Sequence, residues 1–169
     1  MTEGRAWLVQ WLRDAHAMEE QAETMLKGQL SRLENYPELS ERIRLHIQET
    51  KEQAARLASV LESFDEGSST MKDAGGKLMA MAQSLSGVLA GDEVMKGSLA
   101  SYTFEHMEIA SYTILAAAAD ALGETEVARV CEENLREEVA MAEWLKNHLA
   151  PTTQMFLSRA EADRDSAKR

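Results

Sequence analysis

The 169-residue sequence predicts an all-α fold built on a bundle of four long helices. Ala, Glu, Leu and Met are abundant, and these residues lose little rotamer freedom in a helix. Only Pro37 and Pro151 interrupt the chain as prolines, and aromatic residues make up 5% of it. A chain of this length can bury the core of one domain. We therefore expect a single domain over residues 1–163 and a flexible charged tail over residues 164–169.

Helical spacing of apolar residues defines four long segments, residues 2–33, 38–64, 93–122 and 124–149. Pro37 suits the first turn of the second helix, Asp92 is the predicted N-cap of the third, and Gly123 is the predicted C-cap after it. Pro151 is predicted to end the fourth helix, with a short fifth helix over residues 152–162.

The connection over residues 65–91 determines the predicted topology. It contains a weaker, glycine-containing helical segment over residues 71–89, and its length allows it to cross the bundle. Two antiparallel helical hairpins joined by one long crossover form the ferritin-like arrangement. The sequence therefore predicts a ferritin-like four-helix bundle.

Charge and cysteine content exclude several classes of function. The net charge is −11 and no long basic run is present, which argues against nucleic acid and against an anionic membrane surface as partners. Cys131 is the only cysteine, so no intrachain disulfide is possible and a reducing compartment is the simpler interpretation. The N-terminal segment lacks the apolar core of a signal peptide, and no stretch is apolar enough to span a membrane. We expect a cytoplasmic protein.

Several glutamates occupy positions predicted to face the core. Glu19 has apolar residues around it at positions 12, 15, 22 and 26, and Glu108 and Glu138 have comparable neighbours. Glu49 lies beside an apolar stripe that His46 and other polar residues interrupt. An unpaired charge on such a face is unfavourable, so we expect these residues to be paired with another group or with a metal ion.

The spacing of these glutamates places them at one level. Positions 19 and 49 are equidistant from the first turn, and positions 108 and 138 are equidistant from Gly123. Residues equidistant from the turn of an antiparallel hairpin lie at the same height. Four carboxylates in one layer repel by roughly several kcal/mol unless they are protonated or bridged by cations. Two divalent metal ions would relieve this repulsion, and oxygen and imidazole ligands suit iron or manganese.

Further candidates lie one helical turn from these positions. Glu105 precedes Glu108 by three residues, and His46 precedes Glu49 by three, either as a ligand or as a hydrogen-bonding partner of one. Tyr112 is positioned to hydrogen-bond a carboxylate or to take part in electron transfer. The roles of four further residues stay open: His16, Glu52, His106 and Glu137. The predicted metal ligands are Glu19, Glu49, Glu105, Glu108, Glu138 and His46.

Four segments resemble the ferritin-like YciE/YciF family of bacterial stress proteins, the YciE branch most closely. They are WLRDAHAMEEQAETML, NYPELSERIRLHIQETKEQ, FEHMEIASYTILAAA and LREEVAMAEWL, and the resemblance extends over about residues 6 to 160. It implies a ferritin-like bundle related in architecture to rubrerythrin, a homodimer and an association with stress. The family's inward acidic residues correspond to Glu19, Glu49, Glu105, Glu108 and Glu138.

The chain departs from this family pattern at histidine positions. Lys51 stands where YciF-like members can have histidine, and Met141 and Ala142 stand where a Glu-x-x-His site would have it. The predicted centre is therefore rich in carboxylates and poor in histidine, a composition that favours metal binding over redox catalysis. No Cys-x-x-Cys motif is present, so a rubrerythrin-like electron path would need an external donor.

Two functions are compatible with these features, and no catalytic residue is predicted for either. The first is a stress-response protein with a dinuclear iron or manganese centre, acting on oxidants or in metal handling. The alternative is a structural or interaction protein with a degenerate, metal-free bundle. The glutamate layer favours the first, while Gln48 and Lys51 favour the second.

Overall fold

The computed structural model describes residues 2–64 and 92–167, and helices account for nearly all of both ranges. The helices are α1 (Glu3–Leu30), α2 (Pro37–Phe64), α3 (Glu93–Leu122), α4 (Thr125–Ala162) and the single turn α5 (Arg164–Ala167). No strand occurs in these two ranges, so the all-α prediction is confirmed. The short helix expected over residues 71–89 lies outside the described residues.

The first hairpin joins α1 to α2. The side chain of Thr2 caps α1 by accepting a hydrogen bond from the backbone N–H of Arg5 at 3.4 Å. The helix ends at Leu30, three residues earlier than predicted. Pro37 occupies the first position of α2, where its missing N–H leaves no helical bond unmade. The Ser40 hydroxyl donates to the carbonyl of Leu33 at 2.7 Å and ties the turn to α2.

The second hairpin joins α3 to α4 through Gly123. This residue has a φ of 74°, a left-handed conformation that glycine adopts without steric cost, and it ends α3 as predicted. The backbone N–H groups of Gly123 and Glu124 bond back to the carbonyls of Asp120 (3.1 Å) and Ala119 (2.9 Å). Asp92 stands at the start of α3, but its side chain makes no capping hydrogen bond.

The prediction that Pro151 ends the fourth helix is wrong. Helix α4 runs through Pro151 to Ala162 as one helix of 38 residues, so the separate helix expected over residues 152–162 does not exist. A proline inside a helix removes its bond to the carbonyl four residues earlier, here that of Asn147. Both Asn147 and Pro151 lie at exposed positions, where solvent can satisfy that carbonyl.

Within the two described ranges, the core contains two apolar clusters. One lies at the open end of the first hairpin and beside the Gly123 turn of the second, including Leu8, Leu57 and Leu115, and the other lies near the first turn, including Leu26 and Ile43. Helix α1 packs on α3 and α2 packs on α4, so the two hairpins face each other. Buried polar residues 46–53 of α2 and 134–138 of α4 fall between the two clusters. The fold therefore creates one polar layer across the bundle.

The C-terminal residues dock on the first hairpin. The Tyr36 hydroxyl donates to the carbonyl of Ala167 at 2.8 Å, and the Asn35 amide donates to that of Ser166 at 3.1 Å. Ala167 is buried. Residues up to 167 therefore depart from the free tail expected from residue 164 onward.

Among the helices of the described ranges, none combines the length and apolarity needed to cross a bilayer.

Candidate metal centre

Four side chains converge in the polar layer: His46 from α2, Glu105 and Glu108 from α3, and Glu138 from α4. Each offers one ligand atom, and these four atoms all lie within 4.8 Å of one another. Each residue is at most 1% exposed. The structure thus brings together four of the six residues that the sequence predicts as ligands.

Glu19 adds a fifth buried group from α1. It is fully buried, and the Tyr112 hydroxyl donates a hydrogen bond to its Oε1 atom. Burial, and then the charge of Glu138, raise the pKa of Glu19 well above its ordinary value. Because Glu138 acts on it electrostatically, Glu19 belongs to the same layer of carboxylates.

His46 is oriented by hydrogen bonding on one side of its ring. Its Nδ1 atom lies 2.8 Å from Oε2 of Glu49, and a carboxylate accepts, so Nδ1 carries the hydrogen. The opposite Nε2 atom lies 3.2 Å from Oε2 of Glu105 and 3.5 Å from Oε2 of Glu138. Burial alone would lower the pKa of His46, but Glu105 and the other carboxylates outweigh it and raise that pKa well above its ordinary value.

Glu49 lies outside the buried group, on the far side of His46. Its side chain is 34% exposed and accepts hydrogen bonds from His46 and from Nη1 of Arg42, the latter at 3.0 Å. The hydrogen bond from His46, followed by that from Arg42, lowers the pKa of Glu49 to about 2. Glu49 therefore orients His46, and the imidazole takes the position in the centre that the hairpin spacing predicts for the carboxylate.

The buried carboxylates are held in contrasting electrostatic environments. Burial raises the pKa of Glu105 to about 8, and burial with the charges of Glu138 and Glu19 raises that of Glu108 well above its ordinary value. Burial also opposes ionisation of Glu138, but the adjacent His46 outweighs it and lowers the pKa of Glu138. Burial is the largest cause of the raised pKa values, and repulsion between the carboxylates adds to it.

The donor atoms fit a cation. Six buried atoms have no hydrogen-bond partner among the described residues: Oε2 of Glu19, Nε2 of His46, Oε2 of Glu105, Oε1 of Glu108, and Oε1 and Oε2 of Glu138. The approaches of His46 to Glu105 and Glu138 lack hydrogen-bond geometry. Unpaired buried polar atoms are strongly unfavourable, and carboxylate oxygens with one imidazole suit manganese or iron.

Comparison with known proteins identifies the family. Residues 4–158 match the sequence profile of a family described as a domain of unknown function, DUF892. This chain belongs to the DUF892 family. It is 33% identical over 137 residues to protein YciF of Escherichia coli strain K12, covering 76% of this chain and 80% of YciF. The resemblance to the YciE/YciF proteins is thereby confirmed, while placement in the YciE branch stays a prediction.

Solved structures of similar proteins share the fold. A Xanthomonas campestris protein is 42% identical with a TM-score of 0.77, covering 94% of this chain and 99% of its own. The E. coli stress protein YciF is 27% identical with a TM-score of 0.72, covering 89% and 96%. YcfI from Rhodopseudomonas palustris, described as a proposed structural protein, is 28% identical with a TM-score of 0.71, covering 86% and 94%.

A chain of hydrogen bonds behind Glu19 was not predicted in full. Asn134 Nδ2 donates to the Tyr112 hydroxyl at 3.0 Å, and Arg56 Nε donates to Asn134 Oδ1 at 2.8 Å. In this DUF892 protein the donors thus point from Arg56 inward to Glu19. Asn134 precedes Glu138 by four residues on the same stripe, so the argument that identified Glu138 applies to it equally. No local pattern in the sequence indicates Arg56.

The four residues with open roles lie outside the buried group. Glu52 is exposed and accepts from Gln48, and His106 is exposed with its ring edge-on to Tyr102. His16 is partly buried and lies 4.0 Å from Glu20 at the surface. Glu137 is partly buried and is bound by Arg56 and Gln53.

Proposed function

We propose that this DUF892 protein holds two divalent cations, iron or manganese, in its buried carboxylate layer and acts in a stress response. The observation that carries the proposal is a set of buried oxygen and nitrogen atoms without hydrogen-bond partners among the described residues. They belong to His46, Glu105, Glu108 and Glu138, whose ligand atoms lie within 4.8 Å of one another, and to buried Glu19. Similarity to E. coli YciF, which is a stress protein, supports the cellular role.

Charge balance favours two cations over one. Glu19, Glu105, Glu108 and Glu138 carry four negative charges when ionised, and two divalent cations neutralise them with His46 uncharged. The ligands would be these four carboxylates and Nε2 of His46. A pair of such ions, when bound, supplies Lewis-acid and redox chemistry toward oxygen or peroxide.

The protein itself contributes orientation and exclusion of water. Glu49 fixes the ring of His46 from outside, and Tyr112 holds one oxygen of Glu19 from behind. The apolar clusters on the two sides of the layer along the bundle exclude water from those directions, which strengthens the electrostatic interactions inside. No side chain here supplies a second redox group of the Cys-x-x-Cys type, so turnover would require an external electron donor.

The alternative is a structural or interaction protein whose layer stays metal-free. The description of R. palustris YcfI as a proposed structural protein favours it, as does the single histidine in the group. In that state Glu105 would be protonated near neutral pH, in agreement with its pKa of about 8, and burial raises the pKa values of Glu19 and Glu108 in the same direction.

Metal content distinguishes the two functions. Protein purified without chelators and supplied with iron or manganese should hold close to two ions per chain, and chelation should lower its melting temperature. A content below about 0.2 ions per chain, with no change of melting temperature, excludes the first function. Glu138→Gln should abolish binding, while Glu143→Gln, an exposed position on the same helix, should leave it unchanged.

Assembly and location belong to the same proposal. We expect a homodimer in the cytoplasm, and light scattering coupled to gel filtration tests the dimer. A mass of one chain, 18.8 kDa, would contradict it.

A further inference from the structure

The side of the bundle between α2 and α4 is polar at the level of the candidate centre. Glu49, Gln53 and Arg56 project from α2, and Glu133 and Glu137 project from α4. The α2–α4 side therefore offers a polar path from solvent to the buried carboxylates.

Glu137 occupies the middle of this path. Its side chain is 27% exposed, yet it precedes fully buried Glu138 by a single residue. Burial raises the pKa of Glu137 against the lowering effects of Arg56 and Gln53, and the charge of Glu49 adds a smaller increase. Glu137 thus lies between the solvent and the centre.

Gln53 connects Glu137 to the centre. Its Nε2 atom donates to Oε2 of Glu137 at 3.0 Å. Its side chain also helps to lower the pKa of Glu138. The residue is completely buried, and its Oε1 atom has no hydrogen-bond partner among the described residues. A buried amide oxygen without a hydrogen-bond partner can bind a cation that moves from solvent to the centre.

Arg56 closes the outer end of the path. Its guanidinium group binds Glu137, contacts Glu133 at 3.2 Å, and is 21% exposed. A fixed positive charge at this point repels an incoming divalent cation, whereas the carboxylates behind it attract one.

We propose that divalent cations reach the buried centre by way of Glu137, which binds them first, and then Gln53. The guanidinium group of Arg56 blocks this entry route while it is bound to Glu137. This inference rests on the proposed function. A residue on the entry route changes the rates of cation uptake and release together, whereas a ligand of the final site changes the equilibrium affinity. Glu137 is therefore separable by experiment from the residues of the centre.

The test follows uptake of Co²⁺ by the whole chain in stopped-flow absorption and its release into excess chelator. Glu137→Gln should slow uptake and release together by about tenfold, with the dissociation constant unchanged within about twofold. Arg56→Gln should accelerate uptake. The matched controls are Glu143→Gln and Arg136→Gln, exposed positions on α4 that should keep the wild-type rates.

Two results would overturn the route. One is an unchanged uptake rate in Glu137→Gln, and the other is a weakened affinity with normal uptake, which would make Glu137 a ligand. Equilibrium metal content of the wild-type chain separates this failure from that of the proposed function. If the wild-type chain binds cations and Glu137→Gln takes them up at the same rate, the entry route is contradicted and the proposed function is not. A wild-type chain that binds none defeats both.

Discussion

His46 and Glu49, one turn apart on α2, are joined by a hydrogen bond of 2.8 Å between Nδ1 and Oε2. This bond fixes which ring nitrogen carries the hydrogen and directs Nε2 toward Glu105 and Glu138. Arg42 holds the same carboxylate oxygen from the other side at 3.0 Å. The hydrogen bond with Glu49 therefore orients the imidazole of His46 in the centre. Glu49 influences the centre by way of His46.

Removing the charge of Glu49 should weaken cation binding without abolishing it. In Glu49→Gln the imidazole loses its charged acceptor, and loss of such an outer partner typically lowers metal affinity by about 10- to 100-fold. Isothermal titration with Mn²⁺ measures this change. Glu52→Gln, an exposed residue on the same helix, is the control and should bind normally. Complete loss of binding in Glu49→Gln would instead make Glu49 a direct ligand.

The metal-free protein should lose stability as the pH rises. A carboxyl group whose pKa is raised on folding stabilises the fold below its unfolded value of about 4.5, and this stabilisation is lost as the pH passes the folded value. For Glu105 that value is about 8, and Glu19 and Glu108 shift in the same direction. The raised pKa of His46 changes stability with pH in the same direction, so this contribution is also lost as the pH rises. The lowered values of Glu49 and Glu138 matter only in acid, below about pH 4.5.

Thermal unfolding in the presence of a chelator measures this dependence. Between pH 5 and pH 8 the melting temperature should fall by at least about 5 °C, since about 1 kcal/mol corresponds to 2–4 °C for a chain of this size. Glu105→Gln removes one titrating group and should flatten the curve. A melting temperature that rises over this window would contradict the protonated state of the layer.

The positions of the inward glutamates could be predicted because two regularities determine them. Helical spacing assigns Glu19, Glu108 and Glu138 to apolar faces, and equal distance from a turn assigns a common height. The spacing argument does not specify rotation about the helix axis, which decides between His46 and Glu49. His46 interrupts the apolar stripe of α2, so the criterion applied to Glu19 would have favoured it.

The contacts behind the centre could not be predicted in the same way. The approach of Arg56 to Asn134 and Glu137 joins residues 78 and 81 positions apart in the chain. Such a contact depends on rotamers and on the rotation of two packed helices, and neither leaves a periodic signal in the sequence. The continuity of α4 was missed for another reason: the cost of a helical proline depends on whether the freed carbonyl is exposed.

Replacing Pro151 by alanine should stabilise the protein. Proline inside a helix is less favourable than alanine by about 3 kcal/mol, part of which is offset because proline also restricts the unfolded chain. We expect the free energy of unfolding to increase by about 1 to 2 kcal/mol, measured by urea denaturation. Pro37→Ala is the control, because proline at the first position of α2 breaks no helical bond and its removal should bring no gain. Equal effects of the two substitutions would refute the explanation.

Removing the hydroxyl of Tyr112 should destabilise the folded state. Tyr112 is completely buried, donates to Glu19 and accepts from Asn134, so Tyr112→Phe leaves two buried polar atoms without a partner. Each such atom costs about 1 to 3 kcal/mol, and urea denaturation of the metal-free protein should show a loss in this range or above it. Tyr102→Phe, on the same helix and only partly buried, is the control and should change stability by less than about 0.5 kcal/mol. If both variants unfold like the wild type, the hydrogen-bond chain from Arg56 to Glu19 does not contribute to the stability of the layer.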